Sequence, residues 1–94
     1  MQFEWDEQKA ARNLAKHRVP FEYATRAFLD PKRLDAEDAR RAYGEERRLT
    51  LGLIDGRLYA VAYTVRDEAV RLISARKANA REQGFYEALS TRSE

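Results

Sequence analysis

From Arg48 to Ile54 the chain sets Leu49, Leu51 and Leu53 at alternate positions and then runs directly into Asp55-Gly56. A period of two is the signature of a strand, and Asp-Gly favours a two-residue type I′ turn because glycine tolerates positive φ. The pattern resumes from Arg57 to about Val65, which predicts a β-hairpin. A two-residue loop fixes its register, with Leu53 opposite Leu58, Leu51 opposite Ala60 and Leu49 opposite Ala62. A slip of one residue would turn every side chain over, so this pairing constrains the fold more than anything else in the chain. The leucine face is the one on which helices are expected to pack. The other face sets Gly52 across from Tyr59, followed by Val61 and Tyr63.

The remaining elements arrange themselves around this hairpin. Phe3 and Trp5 alternate with polar neighbours as a short first strand. Asp6 suits an N-cap, and Glu7 to His17 is rich in helix formers, with an apolar stripe of Ala10, Ala11, Leu14 and Ala15. Pro20 suits the first turn of a second helix, which carries Phe21, Ala24, Phe28 and Leu29 on one face and stops at Asp30-Pro31. Residues 31 to 46 read as a connection, with a helical turn around Ala36 to Arg41. Arg66-Asp67-Glu68-Ala69 reads as a turn, Val70 to Ala75 as the last strand, and Asn79 onward as a helix with Phe85, Tyr86 and Leu89 as its apolar positions. The order is β-α-α-β-β-β-α, an α+β fold whose antiparallel sheet bears helices on one face. Residues 1–94 make one domain, with a frayed tail from Ser90.

Cysteine is absent, which excludes disulfides, cysteine-bound zinc and thiol nucleophiles and agrees with a reducing compartment. The opening residues show no secretion signal and no apolar run reaches the ~20 residues of a membrane helix, so the expected location is the cytoplasm. Eighteen basic residues against sixteen acidic ones give a net charge of only +2, but the bases are mostly Arg, and the later ones are nearly all Arg. Arg66, Arg71, Arg76, Lys77 and Arg81 face only Asp67 and Glu68 over the corresponding span. The Arg fork matches phosphate, so this bias points to an anionic partner; a solvated charged face is the alternative.

Phe3-x-Trp5-Asp6-x-x-Lys9, Asn13 and Lys16-His17-x-Val19-x-Phe21 form an ordered set, continued by Phe28-x-Asp30, Glu46-Arg47, Gly52 and Thr64-x-Arg66. Arg71-x-Ile73-Ser74-Ala75-Arg76-Lys77-Ala78, then Glu82 and Tyr86, complete it. Over nearly the whole chain this set resembles the BrnT-type toxins. The resemblance implies a RelE-like fold, an endoribonuclease that works without cofactor or metal and inhibits translation, and a BrnA-like ribbon-helix-helix antitoxin through which DNA is contacted only indirectly. One position departs from it: Arg18 stands where such toxins usually have Gly, which costs ~1–2 kcal/mol if the backbone there is left-handed.

Metal-free RNA cleavage needs a base for the 2′-hydroxyl, stabilisation of the pentavalent phosphate and a proton for the 5′-oxygen. One histidine cannot build a metal site. Arg76 and Lys77, where the last strand gives way to the final helix, are the expected phosphate clamp, with Arg66 and Arg81 as helpers. Pairing of Arg76 with Glu82 is the alternative. His17 is the candidate acid or base, since its ordinary pKa of ~6.5 lies near neutrality, or else a charge partner for the end of its helix. Lys16 is a candidate RNA contact. Tyr86 is either a proton donor or a core residue. Tyr59 and Tyr63, on the face opposite the helices, either stack bases or cover that face against a partner chain. Two further functions fit the same residues: a non-catalytic RNA- or protein-binding module, and a structural partner subunit of a DNA-binding repressor.

Overall fold

Asp55 and Gly56 have φ of 51° and 82°, the positive values that a type I′ turn requires. They join β3 (Arg48–Ile54) to β4 (Arg57–Arg66), and Leu53–Leu58, Leu51–Ala60 and Leu49–Ala62 pair as the alternation requires. The computed structural model describes residues 1–38 and 46–90. Its other elements are β1 (Gln2–Glu4), α1 (Glu7–His17), α2 (Phe21–Ala24), a 3₁₀ turn (Thr25–Leu29), β2 (Leu34–Glu37), β5 (Ala69–Lys77) and α3 (Ala80–Ser90). The strands form one five-stranded sheet in the order β1-β5-β4-β3-β2.

Four features differ from the expectation. The sheet is mixed, because β1 runs parallel to β5. Residues 34–37 form an edge strand on β3 where a helical turn was expected; Arg40 and Arg41 lie outside the described residues. The helix begun at Phe21 tightens to a 3₁₀ turn after Ala24, which keeps Ala27 and Phe28 inward and leaves Leu29 78% exposed. Finally, the helices occupy both faces of the sheet. Val19, Phe21, Ala24, Ala27 and Phe28 pack on the face of Ile54, Tyr59, Val61, Tyr63 and Leu72, while Tyr86 and Ala78 pack on Leu51, Leu58 and Ala60. Alternation alone does not reveal this, since β4 is buried from Leu58 to Thr64 and both of its faces are in use.

Gly52 explains why α2 and its 3₁₀ extension choose the tyrosine face. A Cβ at this position would lie 2.3 Å from the Ala27 carbonyl oxygen, so only glycine lets the 3₁₀ turn settle onto β3. Aromatic edges then fill the layer. Phe28 meets Tyr63 at 5.0 Å and 79°, and Trp5 closes on Phe21 at 5.9 Å and 79°.

In α1 only Ala10 of the alanine–leucine stripe faces inward. Ala11 and Ala15 are exposed and Leu14 is 46% exposed, whereas Ala10, Asn13 and His17 face inward at i, i+3 and i+7. The helix starts as expected, with the Asp6 carboxylate accepting the Gln8 and Lys9 amides at 2.8 and 3.1 Å. It ends at Arg18, whose φ of 63° and ψ of 27° are left-handed. Arg18→Gly should therefore stabilise the domain by about 1 kcal/mol, the relief of left-handed strain less the extra entropy of glycine. Thermal unfolding should show a Tm about 4–8 °C higher. An unchanged or lower Tm would count against strain at this position.

Among the described residues no helix is long and apolar enough to cross a membrane.

Candidate functional site

Strand β1 covers β5 only as far as Arg71, so the edge of β5 beyond it would be left without backbone partners. Asn13 of α1 fills that gap. Its amide nitrogen donates to the Ala75 carbonyl at 2.9 Å and to the Val19 carbonyl at 3.0 Å, and its oxygen accepts the Ala75 amide at 3.0 Å. A side chain thus acts as the next strand, and it ties the last turn of α1 to the end of β5. That turn carries Lys16 and His17, and the strand end carries Arg76 and Lys77.

His17 is half-buried beside these charges. Burial first, then the Lys16 and Arg76 charges, hold its imidazole below the ordinary value of 6.5. The ring is accordingly neutral at pH 7, able to accept a proton.

Arg76 lies in a fork-to-fork pair with Glu82, at 2.8 Å through Nη1 and 2.9 Å through Nη2. Glu82 also accepts the Asn79 amide at 2.9 Å, while Asn79 Oδ1 accepts the Glu82 amide at 2.8 Å. This is a capping box at the start of α3, and it fixes the guanidinium plane relative to both strand and helix. The Glu82 pairing weighed from the sequence is therefore present, and with it a rigid guanidinium one strand residue from the edge that Asn13 seals.

Of the other candidates, only Lys77 adjoins this site. Lys77 is the next residue of β5, exposed, and opposite Tyr59 in the ladder. Arg66 pairs with Ala69 at the far end of β4, whereas Arg76 pairs with Ala60. Six residues of strand, roughly 20 Å, keep Arg66 from the Arg76 neighbourhood. The Arg81 guanidinium lies 5.7 Å from the centroid of the Phe85 ring along α3. Tyr59 and Tyr63 do not stand on an open face. Both rings are buried under α2 and its 3₁₀ extension, Tyr59 against Tyr23 and Tyr63 against Phe28, so the platform expected of them is already filled by the protein's own aromatics. Tyr86 is a core residue whose hydroxyl donates to Asp30, and burial followed by that bond pushes its pKa up to about 12. Asp30 also accepts the Leu53 and Lys32 amides, each at 2.9 Å, so this carboxylate joins the end of the 3₁₀ turn, β3 and α3.

A second polar cluster falls in the stretch read from the sequence as a connection. Asp35 accepts from Arg33 Nη1 at 2.8 Å, from Arg48 Nε at 2.6 Å and from the Tyr63 hydroxyl. Burial first and Asp35 second raise the Tyr63 pKa. The alternation of Leu34 and Ala36 with Asp35 and Glu37 was its only sequence signal, too short to separate from a loop. Among the described residues no three His, Asp or Glu side chains gather as metal ligands.

A family model described as the ribonuclease toxin BrnT of type II toxin–antitoxin systems matches residues 5–82. No curated protein matches the chain. The matched span contains Asn13, Lys16, His17, Arg76, Lys77 and Glu82, and stops in the first turn of α3.

Proposed function

The chain belongs to the BrnT family of ribonuclease toxins of type II toxin–antitoxin systems, and from that premise we propose that it is an endoribonuclease that cleaves single-stranded RNA without a metal ion. Cleavage would inhibit translation, and a ribbon-helix-helix antitoxin would neutralise it and carry the DNA contact. The observation that supports this reading best is that Asn13 ties the helix carrying His17 to Ala75, the neighbour of Arg76, whose fork Glu82 holds. His17 takes the proton of the 2′-hydroxyl, whose oxygen attacks the adjacent phosphorus. Arg76 stabilises the charge that builds on the phosphoryl oxygens. Lys16, on the same helical turn as His17, is the donor we assign to the departing 5′-oxygen. Lys77 holds substrate phosphate. Arg66 and Arg81 take no part in the chemical step.

The Arg76–Glu82 pair also favours a second reading, a non-catalytic RNA- or protein-binding subunit in which Arg76 is structural. Turnover separates the two. Purified protein at substoichiometric concentration should degrade excess RNA in the presence of EDTA, and kcat/KM should decline as pH falls through the lowered pKa of His17, because protonation removes the base. Cleavage that stops in EDTA and returns with magnesium would overturn the metal-free mechanism. A stoichiometric shift of RNA with no cleavage would favour the binding subunit.

A further inference from the structure

Arg57 follows Gly56 at the exit of the hairpin turn, and Lys77 stands opposite Tyr59 at the end of β5. The Ala78 amide donates to the Leu58 carbonyl at 3.0 Å, which bends the chain across the start of β4 toward α3. Gly56, Arg57, Leu58, Lys77, Ala78 and Gln83 thereby line a cleft of about 340 Å³. A Cβ at Gly56 would meet nothing within 4 Å, so the turn side of the cleft is open. Arg57 and Lys77 are both exposed, and among the described residues neither has an ion-pair partner. In this they differ from Arg26, Arg33, Arg48, Arg71 and Arg76, each of which is paired with a carboxylate. Two exposed cations without ion-pair partners thus line one open cleft, and Lys77 adjoins Arg76 in the chain.

We propose that Arg57 and Lys77 form a second phosphate subsite, which grips the backbone phosphate flanking the one that is cut. This rests on the ribonuclease reading and extends it. RNA held at Arg76 continues around the end of the sheet into the cleft, and the subsite contributes binding without taking part in bond cleavage. Its recognition is of backbone charge, so it carries no base preference.

The test is binding of a short single-stranded RNA, 2′-O-methylated so that it cannot be cut, over a range of salt concentrations. Arg57→Ala should weaken binding about tenfold, as loss of a charged phosphate contact does. The slope of log K against log salt should become shallower by about 0.7, one phosphate contact of a single strand. A methylated dinucleotide, which has only the scissile phosphate, should bind Arg57→Ala and the unaltered protein equally, and Arg57→Lys should recover most of the slope. An unchanged slope in Arg57→Ala, with RNA binding intact, overturns the subsite and leaves the ribonuclease reading standing. No RNA binding by the unaltered protein overturns both.

Discussion

Arg76→Ala should lower the rate of RNA cleavage by a factor on the order of 10²–10³ while the domain still unfolds cooperatively. The loss corresponds to about 2.7–4 kcal/mol of transition-state stabilisation, the size seen when one preorganised donor is removed from a developing anion. Glu82 holds both terminal nitrogens of the guanidinium, and Asn79 holds Glu82, so the fork is oriented before substrate arrives. The structural cost is smaller. The pair is partly exposed, and Glu82 keeps the Asn79 amide after Arg76 is gone, so about 1–2 kcal/mol of stability is lost, between exposed and buried ion pairs. Arg76→Lys keeps the charge but not the fork and should recover little of the rate. Glu82→Gln can still accept the Asn79 amide, so it retains the cap while loosening the guanidinium; its rate should fall less than that of Arg76→Ala. Steady-state kinetics and melting curves on the three variants decide the matter. A near-normal rate in Arg76→Ala would make Arg76 structural and move the phosphate clamp to Lys16 and Lys77.

How much of this was legible in the residues depends on the kind of signal each part leaves. The hairpin was legible to the individual pair, because strict alternation and Asp55-Gly56 leave one register. The turn at Asp67 and Glu68 was legible too, although both residues take positive φ, 52° and 67°, with no glycine to announce it. The number of strands and the placement of helices were not. The four residues of β2 are too few to show a period, and a strand buried on both faces cannot indicate which face a given helix will cover. Of the site, the sequence marks Arg76, Lys77, His17 and Lys16 by chemistry, and marks Glu82 as a partner. The stacking role expected of Tyr59 and Tyr63 failed for the same reason as the helix placement, since it assumed an open face. Arg57 carries no motif of its own, and it acquires meaning only when the strand ends bring it across a cleft from Lys77.

Asn13 is the residue whose role is hardest to read from sequence, since an asparagine one turn before a helix end looks like a surface position. Asn13→Ala should cost about 3–5 kcal/mol of folding stability. It leaves the Ala75 amide and the Ala75 and Val19 carbonyls without the partner that now serves them, at a position only 6% exposed. Each buried group left unpaired costs about 1–3 kcal/mol, and partial access of water brings the sum below simple addition. Against the roughly 5–15 kcal/mol that holds a small domain together, this is a large fraction. Asn13→Asp distinguishes hydrogen bonding from volume, because the shape is kept while the donor is lost. At neutral pH its carboxylate faces two carbonyl oxygens and should destabilise at least as much as alanine does. Its folded-state pKa is then raised above the unfolded value of ~3.9, so the penalty relative to the parent is full above the folded pKa and shrinks as pH falls through it. Urea unfolding of parent, Ala and Asp variants at neutral and mildly acidic pH measures all three differences. Activity should follow stability here, since α1 without its tie to Ala75 no longer holds His17 against the end of β5. An Asn13→Ala variant within about 0.5 kcal/mol of the parent, the range of ordinary surface substitutions, would show that Asn13 is not what joins α1 to the sheet.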